Sequence, residues 1–118
     1  MEDNTLNVIV HNGFYRALTV LSKKAPEYTD KHDRLSNFKK AGVLQGITAE
    51  QALFGMLAKH LVSLAEMVAK GESSQSMWEE KLTDAQNYLF LLEGLLVEKH
   101  GWPRFPTSGV GKLNEVKE

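Results

Sequence analysis

The chain predicts an all-α fold: a small helical bundle built on a long antiparallel helix pair, with a shorter helix before it and an extended C-terminal arm. Three observations carry that expectation. Apolar residues recur at alternating steps of three and four through two long stretches. Each stretch opens on a capping signal and closes on glycine. The segment between them, ESSQS, is a short polar turn, so the two helices should fold back on each other.

From Thr5 to Lys24, the residues Leu6, Ile9, Val10, Phe14, Ala17, Leu18 and Leu21 are spaced as on a helix. Asn12-Gly13 inside this run is also a hairpin-turn signal, and LNVIV alone would suit a short strand or an extended arm. The helix is the favoured reading, starting as late as Asn12, and Pro26 is expected to end it. A short helix should follow within Tyr28 to Lys40, capped by Asp30 and anchored by Leu35 and Phe38, with Arg34 and Asn37 together on another side. Gly42 and Gly46 mark a connecting loop.

The first long helix spans Ala49 to Lys70. Thr48 and Gln51 form its capping box, and Leu53, Met56, Leu57, Leu61, Leu64 and Val68 its stripe. Gly71 closes it. The second runs from Ser76, with Glu79 three residues on as a capping box, to Lys99 and His100, cations suited to a helix C-terminus. Its stripe is Trp78, Leu82, Ala85, Leu89, Leu92 and Leu96, after which Gly101 and Pro103 stop it. Residues 102–118 are too poor in apolar side chains for a core element and read as an arm, docking through Trp102 and Phe105, and then a loose tail. All 118 residues fit one domain. Phe54, Phe90 and Val97 fall off the main stripes, which suggests a homo-oligomer.

The formal net charge of −1 argues against a non-specific grip on a nucleic acid polymer. The absence of cysteine removes disulfides and thiolate metal sites and fits a reducing, cytoplasmic setting. The Met-Glu-Asp start has no basic region of the kind that opens a signal peptide, and no uninterrupted apolar run is long enough to span a bilayer, so no membrane partner is expected.

Several patterns bear on chemistry. SGVGK falls short of a phosphate loop: Pro106 stands where the first glycine belongs, Leu113 follows the lysine, and no strand precedes it. None of the four histidines has a partner at the i, i+4 spacing of a helical metal pair. His60 alone reads first as a hydrogen-bonded core or interface group. Lys59, Ser63 and Glu66 make a polar line that is either a structural salt-bridge face, with Lys59 pairing Asp84 across the hairpin, or part of a ligand site. Lys81, Asp84, Asn87 and Tyr88 share one side of the second long helix, on the flank of its stripe. A helix that is only structural has less reason to set Asn and Tyr beside a Lys–Asp pair there.

The pattern KHLVS followed by WEEKLTDAQNYLFLLEGLL, with EYTDKHDRLSNF before it, resembles the all-α nucleoside triphosphate pyrophosphohydrolase group. That group includes MazG-like proteins, phosphoribosyl-ATP pyrophosphohydrolase-like proteins and phage-borne nucleotide-modification-associated domains. The resemblance covers roughly Tyr28 to Leu96. It implies a helical bundle that assembles into dimers or tetramers, with the ligand between helices. In the enzymes of the group a Glu-x-x-Glu on one helix and a Glu-x-x-Asp on the next bind magnesium, which activates the attacking water.

This chain departs from that pattern at the metal positions. Asp84 matches the last acid, but Lys81 stands where the enzymes have glutamate, and Lys59, His60 and Ser63 replace the glutamate pair. A lysine in place of a carboxylate supplies a cation where a metal would sit. The expectation is therefore a protein that binds a nucleotide or nucleotide-like phosphate compound and does not hydrolyse it, with no metal cofactor. It would be phage-derived, work in the host cytoplasm and sequester a signalling nucleotide of host defence. The expected ligand residues are Arg34, Asn37, Lys59, His60, Ser63, Lys81, Asp84, Asn87 and Tyr88. Lys59 and Lys81 would hold phosphate, Asp84 and Asn87 would orient ribose or base, and Tyr88, with Phe38 or Trp102, would stack. One alternative is a magnesium-dependent pyrophosphohydrolase using Glu66, Glu79, Glu80 and Asp84. Another is a structural or interaction protein without a ligand.

Overall fold

In a computed structural model the described residues, 1–28 and 33–104, form four helices and no strand. These are α1 (Asp3–Tyr28), α2 (Ser36–Gln45), α3 (Ala49–Lys70) and α4 (Gln75–His100). The fold is an all-α bundle in which α3 and α4 form the expected hairpin, α2 packs on α3, and α1 packs chiefly on α4. Side chains 24–28 and residues 29–32 and 105–118 lie outside the description, and with them the Asp30 cap, Phe105 and the SGVGK segment.

Helix α3 forms as its sequence dictates. Thr48 Oγ1 accepts the Gln51 N–H at 3.1 Å, and Gln51 Oε1 accepts the Thr48 N–H at 3.0 Å. Gly71 closes the helix at φ +73°, a conformation that costs glycine little. Helix α4 starts one residue earlier than expected. Ser74, not Ser76, is its N-cap, accepting the Met77 N–H at 3.2 Å, and the Ser76–Glu79 box is not made, because Glu79 accepts from Gln75 instead. The hairpin's far end is marked by Lys99 of α4 at 3.7 Å from Glu50 of α3.

Two expectations fail at helix ends. Helix α1 starts at Asp3, so Asn12-Gly13 is helical and no hairpin turn forms, and it runs past Pro26 to Tyr28. A proline two residues from a helix C-terminus costs one hydrogen bond, to the carbonyl four residues before it, and leaves little helix beyond to be destabilised. Helix α2 starts at Ser36 and continues through Gly42 to Gln45. Its entry is set by Asp33, whose Oδ1 accepts the Leu35 N–H at 2.9 Å. Gly42 is not in a loop. A Cβ there would fall 2.8 Å from the Ile47 carbonyl oxygen, so the turn into α3 needs its bare backbone.

The core is small. Leu35 and Phe38 anchor α2 as expected and meet Leu53 of α3 and Leu95 of α4, with Ala49, Met56, Tyr88, Leu91 and Leu92 packed around them. Burying a side chain such as Leu53 stabilises the fold by about 1.5–3 kcal/mol. The expected stripes are only partly inside. On α4 the buried residues are Thr83, Ala85, Asn87 and Leu95, while Leu82 and Leu89 are exposed. The buried surface is rotated and widened because α4 is covered from two sides, by α3 and by α1. On α3, Leu61 and Val68 face out, and on α1 Leu6, Ile9, Val10, Phe14 and Leu18 do, leaving Ala17 as its buried contact. Helix α3 is the one described helix long and apolar enough by length and composition to cross a membrane, although Lys59, His60 and Glu66 interrupt it and it packs here against α2 and α4.

Candidate functional site

Part of the polar set that the sequence singles out lies together in the middle of the α3–α4 hairpin. Antiparallel pairing sets His60 of α3 opposite Asp84 and Tyr88, which are one turn apart on α4. His60 Nδ1 lies 3.8 Å from Asp84 Oδ2, within ion-pair reach when the imidazole is protonated and longer than a hydrogen bond. The imidazole and the Tyr88 ring have centroids 4.9 Å apart at a 36° tilt. Phe38 of α2 backs Tyr88 edge-on at 6.3 Å, which ties the cluster to the core. All three cluster side chains are half-buried.

The expected Lys59–Asp84 pair is not formed. His60 is the α3 group at Asp84, and Lys59, one residue earlier and so about 100° around the helix, is exposed. Ser63 and Lys81 lie one turn beyond His60 and Asp84, on the same side of the hairpin in the antiparallel register, and both are half-buried. Among the described residues neither Lys59 nor Lys81 has a carboxylate within ion-pair distance.

The remaining candidates sit elsewhere. Asn87 is buried on the opposite flank of α4, where its Nδ2 donates to the Ala17 carbonyl of α1 at 3.0 Å. It is a strut between helices. Arg34 is exposed and donates to the Leu21 carbonyl at 3.0 Å, and Asn37 is exposed on α2. Of the proposed stacking partners, Phe38 is in the core and Trp102 stacks on His100 with centroids 4.6 Å apart. The alternative magnesium acids are not gathered. Glu66 and Glu80 are exposed, Glu79 lies 3.7 Å from Arg16, and among the described residues no group of three or more His, Asp or Glu could hold a metal ion.

Two features escaped the sequence reading. Lys39 of α2 bridges Asp33 at 2.7 Å and Glu98 of α4. The lysine's hydrogen bond and the Leu35 N–H hold the Asp33 carboxyl below its usual range, and the bonds to Asp33 and Glu98 hold the Lys39 ammonium above its own. No periodicity within one helix can reveal a triad drawn from a loop and two helices. A groove of about 710 Å³, lined by Phe90, Gly94, Val97, Trp102 and Arg104 with Glu93, Glu98 and Gly101, lies toward the C-terminal end of α4 and, of the residues expected to touch a ligand, includes only the stacking candidate Trp102.

No family model, curated protein or solved structure matches this chain.

Proposed function

We propose that this chain binds a nucleotide or nucleotide-like phosphate compound at the His60–Asp84–Tyr88 cluster and holds it without hydrolysing it. The observation that carries the reading is the juxtaposition itself: an imidazole on α3 that lies beside both a carboxylate and a phenol ring of α4. Such a set offers a hydrogen-bond acceptor for ribose or base edges and aromatic surface for a base. Lys81 and Ser63, one turn along, and Lys59 on the rim would contribute cations and a hydroxyl for phosphate. Asn87 drops out of the ligand set, because its amide already ties α1 to α4. Holding phosphate with lysines needs no magnesium, so the binding mode is sequestration, as the departure from the enzyme pattern suggests.

Calorimetry with a panel of mono-, di-, tri- and cyclic nucleotides tests this. Asp84→Asn should weaken binding by roughly 1.5–3 kcal/mol, the range for a hydrogen bond to a charged group, and leave the fold intact. Lys81→Ala should weaken it too, with an effect that shrinks as salt rises. A chelator should leave affinity unchanged. Equal affinity in both variants for every ligand the unmodified chain binds would remove the site. Release of pyrophosphate from a nucleoside triphosphate in magnesium buffer would establish the hydrolytic alternative instead.

A further inference from the structure

Helix α1 stands outside the core. The core cluster, the residues packed on it and the Asp33–Lys39–Glu98 triad all lie between residues 33 and 98. Residues 3–12 of α1 are exposed without exception, and among the described residues of the helix only Ala17 is buried. The contacts that hold α1 are mostly at the surface. Phe14 meets Phe90 edge-on with ring centroids 5.7 Å apart, and both rings are half-exposed. Arg16 lies 3.7 Å from Glu79 where solvent screens the pair, so it adds little. The bond from Arg34 to the Leu21 carbonyl is exposed as well. The bond from Asn87 to the Ala17 carbonyl is the buried one.

The face of α4 at this buried bond is polar. Thr83 is 2% exposed and Asn87 is 7% exposed, and they sit one turn apart on the same face. Thr83 Oγ1 and Asn87 Oδ1 are both buried and make no hydrogen bond among the described residues. A closed α1 therefore keeps two oxygens from water, a cost that its small apolar contact does little to offset. Lifting the helix returns both to water.

From this balance we infer that α1 opens from the bundle as a unit while α2, α3 and α4 stay folded. Few buried apolar contacts and solvent-exposed bonds are the marks of a segment that opens below the global unfolding free energy. The open state bares the Asn87 flank of α4 and completes the exposure of the apolar face of α1 from Leu6 to Leu21. The His60–Asp84–Tyr88 cluster, on the other flank of α4, stays with the folded body in both states.

Hydrogen exchange of the full chain, followed by NMR at urea concentrations below the unfolding transition, reads this opening. The amides from Phe14 to Leu21 should share one opening equilibrium. They should exchange at least about a hundredfold faster than those of Leu53, Leu57 and Leu95, with a weaker dependence on urea. Thr83→Val keeps the shape of the contact and removes one stranded oxygen, so the Phe14–Leu21 amides should slow about fivefold or more. One common protection and urea slope for α1 and the core would overturn the proposal. So would protection that climbs steadily from Phe14 to Leu21 without a shared value, since that is fraying from the end. Unchanged or faster α1 exchange in Thr83→Val would overturn it too, because the hydroxyl would then have a partner in the closed state.

Discussion

Single residues decide what α4 does on each flank. Asp84 and Tyr88 turn to α3, and Asn87, beside Tyr88 in sequence, turns to α1. Sequence spacing grouped Asn87 with the ligand residues because 84, 87 and 88 share one broad side of a helix. It could not reveal that α1 covers that flank, because the spacing that places Ala17 on α1's stripe does not say which helix the stripe meets. Asn87→Ala should cost about 0.5–1.5 kcal/mol in urea unfolding, since it removes the bond from α4 to the Ala17 carbonyl, which keeps its own intrahelical partner, and should leave ligand affinity untouched. Thr83 lies one turn earlier, with its hydroxyl buried and making no hydrogen bond among the described residues. Thr83→Val keeps the shape and removes that desolvated group, so the melting temperature should hold or rise. A marked fall would mean that the hydroxyl has a partner after all.

At the scale of elements, helix ends with two-sided chemistry were the legible part. Thr48, Gln51 and Gly71 delimit α3 because cap and box are written in adjacent residues. Helix α2 was misplaced because its entry is set at Asp33, three residues after the expected cap, and because Gly42, which alone reads as a loop signal, stands inside the helix where the backbone of residues 47–49 approaches it. Gly42→Ala improves helix propensity by about 1 kcal/mol, but its Cβ meets backbone at 2.8 Å, so the net effect should be destabilising by about 1–3 kcal/mol. Gly13→Ala meets nothing within 4 Å in mid-helix, so it should stabilise α1 by about 0.8–1.0 kcal/mol. Were Asn12-Gly13 a hairpin turn, the same change would destabilise, and thermal melts separate the two.

Across the whole molecule, the small core is supplemented by the Asp33–Lys39–Glu98 triad, which ties α2 to the end of α4. Asp33 is held below the usual carboxylate range, so its contribution is present above about pH 4 and fades as pH falls through its folded value. Lys39 is held above its usual value, so its contribution is present below about pH 10.4 and fades as pH climbs through the folded value. Lys39→Met should lower the melting temperature at neutral pH, and the gap from the unmodified chain should close at both extremes. A gap that is constant with pH would assign the loss to packing alone. The fold class and the hairpin were legible because they rest on periodicity. The site was legible only as a set of candidates, because which of them meet depends on the rotation of α4 between two neighbours. The most direct test of the binding site is a side-chain NMR titration with the nucleotide panel, following the His60 and Tyr88 rings. Saturable shifts confined to His60, Ser63, Lys81, Asp84 and Tyr88 are the predicted result. Shifts centred instead on Trp102 and Phe90, or none at millimolar ligand, would contradict it.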